Sequence, residues 1–395
     1  MSELLIGGEA ATPKVTDILA RVRHFIGEEL EPLCAREGLG WEAGTPRPLL
    51  RQVWSRSREL GLYGIQLPTA IGGAGLTVSE QATVKEAIYA SGCSLAPHIM
   101  GELSGPPRVG ALYKVATPDQ VERIIRPVLE ARLSACFALT EENAGSDAGN
   151  VQTRAVRTAD GWRLNGRKKY ISGSPFADLA VVIASTSEDP KARELSAFFV
   201  EADRPGYRID AGYKTMAGGS HTGDIVLEDC DVPAGNLIGE RGRGLALSMG
   251  RITVNRLLHC PAMLGLARIA LESSIRRART RSQFGRPIAA FQAIQHMIAD
   301  MATELAAARA LMYQVAAAID AGGDPRAQAA MAKVFCSETA FRIADRAVQV
   351  HGGEGIIQGN VVEWIFRMLR MYRITTGTSE IQRNTIAKAL LDPEG

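Results

Sequence analysis

Several things are scarce in this sequence of 395 residues, and each scarcity closes a line of interpretation. There are six cysteines, at 34, 93, 136, 230, 260 and 336, scattered with no C-x-x-C pair and no Cys/His cluster. Neither a disulfide framework nor a zinc site is expected, and the pattern suits a reducing, cytoplasmic setting. Charge of one sign is missing too: the formal net charge is +2. A balance of this kind gives no electrostatic reason to expect a nucleic-acid partner. No apolar run is long enough to span a bilayer, so no membrane partner is expected. The opening "MSELLIGGEAATPK" has no basic segment followed by an apolar run, and no signal peptide is expected there. No G-x-G-x-x-G follows a strand and no G-x-x-x-x-G-K-[ST] occurs, so a dinucleotide would not be held in a Rossmann or P-loop manner. Tandem repeats and low-complexity tracts are absent as well.

What is present is a substantial apolar fraction, 46% of residues, enough to bury a sizeable core. The periodicity changes twice along the chain. Up to residue 132 it is helical: Ile18, Val22, Phe25 and Ile26 share one helix face, and "ATPDQVERIIRPVLE" carries a helix start with Thr117 as N-cap, Pro118 at the first position and Gln120 at the third. "LPTAIGGAGLT" (67–77) reads as a loop. From 133 to 240 short strand-like runs take over. "SACFALT" and "VQTRAVR" alternate, "ADLAVVIAS" and "SAFFVE" look like buried strands, and Asn165-Gly166 between two runs predicts a hairpin turn. Such runs suggest a small barrel or sandwich rather than βαβ units. From 241 to 395 the chain is helical again. Phe291, Ile294, Ile298, Met301, Leu305, Ala308, Met312, Val315 and Ile319 recur at steps of three and four, as in a bundle helix. "AGGDP" (321–325) predicts a turn, "HGGEG" (351–355) a helix end, and Ser379 a last helix start. The order α, β, helical bundle predicts an α+β chain with parts 1–132, 133–240 and 241–395.

Five stretches have a composition that suits ligand chemistry. "CFALTEENAGSDAGN" (136–150) is a strand entering a small-residue loop where backbone amides can approach a polar group. "KKYISGS" (168–174) sets an aromatic beside hydroxyls. "RSQFGRPIAAFQ" (281–292) offers an Arg and a Gln at a turn, suited to a pyrophosphate. "QVHGGEG" (349–355) is a Gly-rich helix end. "RITTGTSEIQR" (373–383) is a loop opening into a helix. Singly, each also reads as an ordinary turn or strand. In this order and at this spacing, across roughly residues 15 to 391, they resemble the acyl-CoA dehydrogenase family.

That resemblance implies an N-terminal helical domain, a middle β-barrel or sandwich domain and a C-terminal four-helix bundle. It also implies FAD, held between the β domain and the bundle with help from a neighbouring subunit of a homotetramer. The matching positions for FAD are Phe137, Leu139 and Thr140 on a flavin-facing strand, Gly145 and Ser146 in the loop after it, and Tyr170, Ile171 and Ser172 on a second strand, with Tyr170 where the family commonly has Trp. Arg281, Gln283 and Phe284 match a turn that reaches the partner's FAD, and Gln292 a further contact. Gln349, Gly352 and Gly353 match the adenosine segment, and Thr378 and Glu380 the start of the last helix. For an acyl-CoA or acyl-carrier-protein thioester, Ser146, Arg256 and Gly377 match substrate contacts, the Thr376 amide matches the donor to the thioester carbonyl, and Arg108 falls where the acyl pocket begins, as a clamp for a polar tail or a plain loop arginine. An electron-transfer flavoprotein is the implied electron partner.

The sequence departs from the family at the proton. The family base is a carboxylate immediately before Gly-Thr, here Thr376, or at a second location before the arginine that matches Arg256, here Asn255. Neither a hydroxyl nor an amide accepts a proton usefully near neutral pH. His221, and His259 one turn beyond Asn255, are the alternative bases, each weighed against a plain packed histidine. The readings in play are an oxidoreductase at a thioester Cα–Cβ bond, a relative with other chemistry (desulfination, cyclopropane formation or an oxygen-dependent reaction), and a non-catalytic FAD or acyl-CoA binder.

Overall fold

The computed structural model describes residues 12–42, 44–189, 194–323 and 325–391. The start of the chain that bears on a leader segment, and Asp324 of the "AGGDP" turn, lie outside the described residues. An N-terminal helical region comes first, then a central mixed β-sheet, then a helical bundle.

The N-terminal region comprises α1 (Pro13–Phe25), α2 (Glu31–Arg36), α3 (Arg47–Glu59), α4 (Val78–Ala90), α5 (Pro118–Gln120) and α6 (Arg126–Leu129). Its helix starts are written in the sequence. Thr117 and Gln120 form the reciprocal cap that the "TPDQ" spacing predicts, and Thr77 with Glu80 does the same for α4. Ile18, Val22, Phe25 and Ile26 are buried together as their spacing requires.

The sheet comprises β1 (Ala135–Ala138), β2 (Arg154–Arg157), β3 (Gly161–Ser172), β4 (Leu179–Ser185), β5 (Leu195–Glu201), β6 (Tyr207–Thr215), β7 (Gly218–Pro233) and β8 (Leu237–Ile238). Their order is β6-β7-β3-β2-β4-β5-β8, with β1 parallel to β4. Alternate residues of β4 and β5 face two different cores. Ala180, Val182, Phe198 and Val200 join Trp162, Leu164, Ile225 and Leu227 on the inside. Leu179, Val181, Ile183, Ala197 and Phe199 pack outward with Leu112, Ile124, Ile125 and Val128. Burial on both faces is why these two strands read as unbroken apolar runs.

The Asn165-Gly166 hairpin is not formed. The dipeptide lies inside β3, and the chain reverses instead at 158–161. Asn165 and Gly166 sit at a bulge opposite β7, where the Asn165 side chain pairs with Asp229 in both directions. Gly166 has φ of 154°, and a Cβ there would press within 2.4 Å of Thr153 Oγ1, so this glycine serves close strand approach rather than a turn.

The helical region that follows holds α7 (Gly244–Leu258), α8 (Cys260–Thr280), a small hairpin of β9 (Ser282–Gln283) and β10 (Arg286–Pro287), then α9 (Gln292–Asp320), α10 (Arg326–His351), α11 (Val361–Tyr372) and α12 (Ser379–Leu391). By its internal contacts the chain divides into two compact units. The first takes residues up to 43, 77–96 and from 252 onward; the second takes 44–76 and 97–251. In the first unit α4 joins the bundle. Gly265 on α8 lets the backbone of α4 approach, since a Cβ there would fall 2.8 Å from Glu86 O. Glu86 in turn binds Arg309 at 2.6 Å and the Tyr313 hydroxyl at 2.9 Å, both on α9. Among the described residues no helix is long and apolar enough to cross a membrane.

Candidate functional site

In the bundle unit, the turn between α11 and α12 carries the most constrained backbone. Thr376 adopts φ of 58° and Gly377 φ of 91°. For a β-branched residue the left-handed region is costly, on the order of 1–3 kcal/mol, and is retained only where the surroundings impose it. Here two fully buried side chains do so. Lys333 on α10 donates from Nζ to Gly377 O at 2.9 Å. Gln382 on α12 donates from Nε2 to Gly377 O at 3.0 Å and to Thr376 O at 3.3 Å. With both carbonyls turned toward these donors, the Thr376 N–H is left with no acceptor among the described residues. The Thr376 side chain is also engaged: its Oγ1 lies 2.9 Å from His259 Nε2. His259 stands between α7 and α8, two residues before Pro261, whose missing N–H interrupts the helical ladder.

Electrostatics at this turn favour an anion. Arg256, one turn before His259, has its Nε buried without a partner, and a Cβ on Gly377 would lie 3.6 Å from its terminal nitrogen. Burial, and then the nearby Arg326, lower the Arg256 pKa from its ordinary value. Burial likewise pushes the Lys333 ammonium down to about 8, helped by Arg256 and opposed by Cys260, Glu338 and Glu380. Asn255 lies on the same stretch, its carbonyl accepting from His259 N at 3.1 Å. The Thr378 hydroxyl accepts from Ile381 N at 3.3 Å as α12 begins. Glu380 is held below the usual carboxylate range by its own backbone amide and by Thr378.

A second group of expected residues lies at the other end of the bundle. Gln349, Gly352 and Gly353 are exposed at the end of α10, sixteen and more residues beyond Lys333, or about 24 Å of helix. Gly352 and Gly353 have open space where a side chain would be. Arg281, Gln283 and Phe284 lie on and around the β9–β10 hairpin after α8, and the Arg277–Glu354 ion pair at 2.5 Å ties that end of α8 to the Gly-rich turn. Phe284 has φ of 50° and is 92% exposed. Gln292 is exposed at the start of α9.

In the sheet unit, the two expected strands adjoin: Lys169 N donates to Thr140 O at 2.8 Å. Tyr170 again has positive φ, 58°, at an irregularity in the β3–β7 register, and its ring is 57% exposed beside Tyr213 at 5.2 Å. The strained backbone is pinned by buried Asp224, which accepts from Tyr170 N, Arg167 and the Tyr213 hydroxyl. Ile171 points into the core of the sheet unit, so only its backbone is open to a ligand. Ser172 is exposed, and Phe137 and Leu139 are partly buried. Gly145 and Ser146 are exposed in the loop after β1, with nothing within 4 Å of a Cβ on Gly145. A flat ring with an extended polar tail fits this face: an exposed aromatic, a hydroxyl and a glycine-lined loop stand on two joined strands.

His221 is less open. Its Nε2 accepts from Thr45 N at 3.2 Å, and burial lowers its pKa. Arg108 is partly buried rather than a free loop arginine, with Nε donating to Leu103 O at 3.1 Å. The residues that sequence reasoning missed are the ones that hold the strained turns: Lys333, Gln382, Asp224, and the buried pair Lys168–Glu141 at 2.6 Å beneath the loop after β1. A lysine on the apolar face of α10, in register with Ala329, Ala330 and Cys336, was the available signal for Lys333.

Family models give the same division of the chain. The acyl-CoA dehydrogenase N-terminal domain matches residues 12–132, the middle domain 136–230 and the C-terminal domain 242–391. A 3-(aryl)acrylate reductase of Clostridium sporogenes is 35% identical over 373 residues, 93% of this chain and 96% of that one. The caffeyl-CoA reductase–Etf complex subunit CarC of Acetobacterium woodii is 37% identical over 344 residues, 86% of this chain and 90% of that one. Among solved structures, a chain from work on the electron-transferring flavoprotein of Acidaminococcus fermentans superposes with a TM-score of 0.86 at 31% identity, covering 97% of this chain and 99% of that one. The carboxylate-free turn at Thr376 thus belongs to an FAD-dependent flavoenzyme of the acyl-CoA dehydrogenase family.

Proposed function

We propose that this flavoenzyme forms or reduces the Cα–Cβ double bond of an acyl thioester, carried by CoA or by an acyl-carrier protein. The observation that carries the reading is the Thr376–Gly377 turn. Its unsatisfied Thr376 amide is a ready donor to a thioester carbonyl, and a hydrogen bond there strengthens as enolate charge develops. Beside it, Arg256 offers a guanidinium with an unpartnered Nε to the anionic carrier. FAD, when bound, supplies the hydride acceptor or donor for the β-carbon. The chain's part is to bind, to polarise and to manage the α-proton.

For FAD the candidate residues are Phe137, Leu139, Thr140, Gly145, Ser146, Tyr170, Ile171 (through its backbone) and Ser172 on the sheet, with Thr378 and Glu380 at the start of α12. Arg281, Gln283, Phe284, Gln292, Gln349, Gly352 and Gly353 form the second group. The long separation along the bundle and the solvent-facing Phe284 support a cofactor shared between subunits, and a homotetramer is the assembly proposed. Ser146, Arg256, Gly377 and Arg108 are the candidate thioester contacts. The reductase names of two relatives favour including the reducing direction, and the Etf complex of one favours an electron-transfer flavoprotein as partner.

The test is anaerobic. The yellow protein is mixed with saturated, branched, carboxylated and aryl acyl-CoAs and with the matching carrier-protein thioesters, while flavin absorbance is followed. The reduced protein is mixed with 2-enoyl thioesters. Bleaching or reoxidation by one of them supports the reading. Spectral shifts without redox change across both panels point to the second reading, redox-neutral or oxygen-using chemistry, which the absence of a carboxylate at both Thr376 and Asn255 favours.

A further inference from the structure

The hydrogen bond between Thr376 Oγ1 and His259 Nε2, 2.9 Å long, sits where this family's proton chemistry needs an acceptor. Three observations make it more than packing. The left-handed Thr376 is held by two buried donors, Lys333 and Gln382, so its hydroxyl and amide share one fixed turn. His259 stands at the junction of α7 and α8, two residues before Pro261, which cannot donate to the helical ladder. And no other side chain at the two expected base positions can take a proton, since Asn255 is an amide.

Resting on the thioester reading above, we infer that Thr376 and His259 together move the α-proton: the Thr376 hydroxyl exchanges a proton with the substrate α-carbon, while His259 Nε2 takes or returns the hydroxyl's own proton. In the oxidising direction the Cα–H bond breaks and its proton joins Thr376 Oγ1. The former Thr376 O–H bond breaks as an N–H bond forms on His259, the Cα–H electron pair becomes the Cα–Cβ π bond, and the Cβ–H bond would break with its pair as hydride, for which FAD, when bound, would supply the acceptor. The product is the 2-enoyl thioester, and the imidazolium later releases its proton to water. Reduction runs the same transfers backward. An alcohol is too weakly acidic and too weakly basic to work alone near neutrality, and an adjacent imidazole is the common remedy. Thr376 is the catalytic residue in this scheme; His259 acts through it.

Other titratable and charged groups surround the pair, and they define the control. Tyr372 on α11 lies 5.8 Å from the His259 ring. Lys333 on α10 interacts with Cys260, Arg256, Glu338 and Glu380, and Arg373 pairs with Glu338 at 2.9 Å. Lys333, pushed down to about 8, is the rival titrating group.

The experiment uses the FAD-loaded protein and a 3-thia analogue of a thioester that bleaches it. Such an analogue has α-hydrogens and no β-hydrogen, so α-hydrogen exchange into D2O, read by mass spectrometry, reports proton transfer without hydride transfer. Thr376→Val and His259→Gln are expected to slow exchange roughly 10²–10⁴-fold, and Thr376→Ser to stay within about tenfold of wild type. Wild-type exchange should rise with pH, and that limb should vanish in His259→Gln. Thr376→Glu in the His259→Gln background should recover exchange, since a carboxylate needs no relay. Wild-type exchange rates in folded, yellow Thr376→Val and His259→Gln overturn the inference. So does a limb near pH 8 that persists in His259→Gln, which would belong to Lys333. A wild-type protein that neither bleaches nor exchanges with any thioester overturns the thioester reading itself.

Discussion

At the scale of single residues, the positive-φ threonine invites two measurements. Thr376→Gly removes the cost of holding a β-branched residue in the left-handed region, against the larger unfolded-state entropy of glycine. The expected outcome is an unfolding free energy unchanged or raised by up to about 1 kcal/mol, from chemical denaturation, together with loss of turnover. Thr376→Glu in the otherwise unaltered protein should keep α,β-dehydrogenation of a bound thioester within about tenfold of wild type, measured as anaerobic flavin bleaching, because a carboxylate replaces the Thr376–His259 pair as base. The buried Lys168–Glu141 pair is tested by pH. Burial would raise the Glu141 carboxyl, but Lys168, Thr153 and the Gln152 amide outweigh it and hold it below its ordinary 4.5. A carboxyl depressed on folding contributes stability that is complete above its unfolded pKa and is lost as pH falls through the folded one. The expected result is a denaturant midpoint that falls below about pH 4.5 in the wild type, with a smaller fall in Glu141→Gln. Lys168→Met leaves the acid buried without its cation and should cost about 3–5 kcal/mol near neutral pH.

At the scale of elements, the sequence was readable wherever a local signal and the tertiary environment agreed. The capped start at Thr117, the start of α12 at Ser379 and the long stripe of α9 are cases of such agreement, because caps and apolar faces are decided within a few turns of chain. Asn165-Gly166 shows the opposite. The dipeptide favours a turn, but Leu164 is buried in the core of the sheet and Asn165 finds Asp229 across it, so the strand runs on. The same holds for the site. The motif residues were visible in order and spacing, whereas Lys333, Gln382 and Asp224 act from other elements and carry no local signature. The α4–α9 contact offers a test at this scale. Arg309 is buried against Glu86, and Arg309→Met strands that carboxylate in the bundle. A loss of about 3–5 kcal/mol in chemical denaturation is expected, with partial recovery in the double variant carrying Glu86→Gln.

At the scale of the whole molecule, the β9–β10 hairpin presents Phe284 and Arg281 to solvent in a single chain. If subunits share each cofactor, assembly and FAD retention are one equilibrium. Arg281→Ala and Phe284→Ser should each lower the assembled fraction and the flavin content together, measured by light scattering and by the 450 nm absorbance per polypeptide. Retention of full flavin by a dissociated protein would refute the shared-site proposal. The bundle has a further consequence for how the chain comes into being. Glu86 meets Arg309 across 223 residues of sequence, and the first amides of α4 meet Asp320 across 242. During synthesis at roughly 5–20 residues per second, helix α4 therefore waits some tens of seconds for the partners that bury its polar groups. Glu86 and the first amides of α4 stay without these partners until α9 has been made, which makes this protein a poor candidate for expression as separate halves.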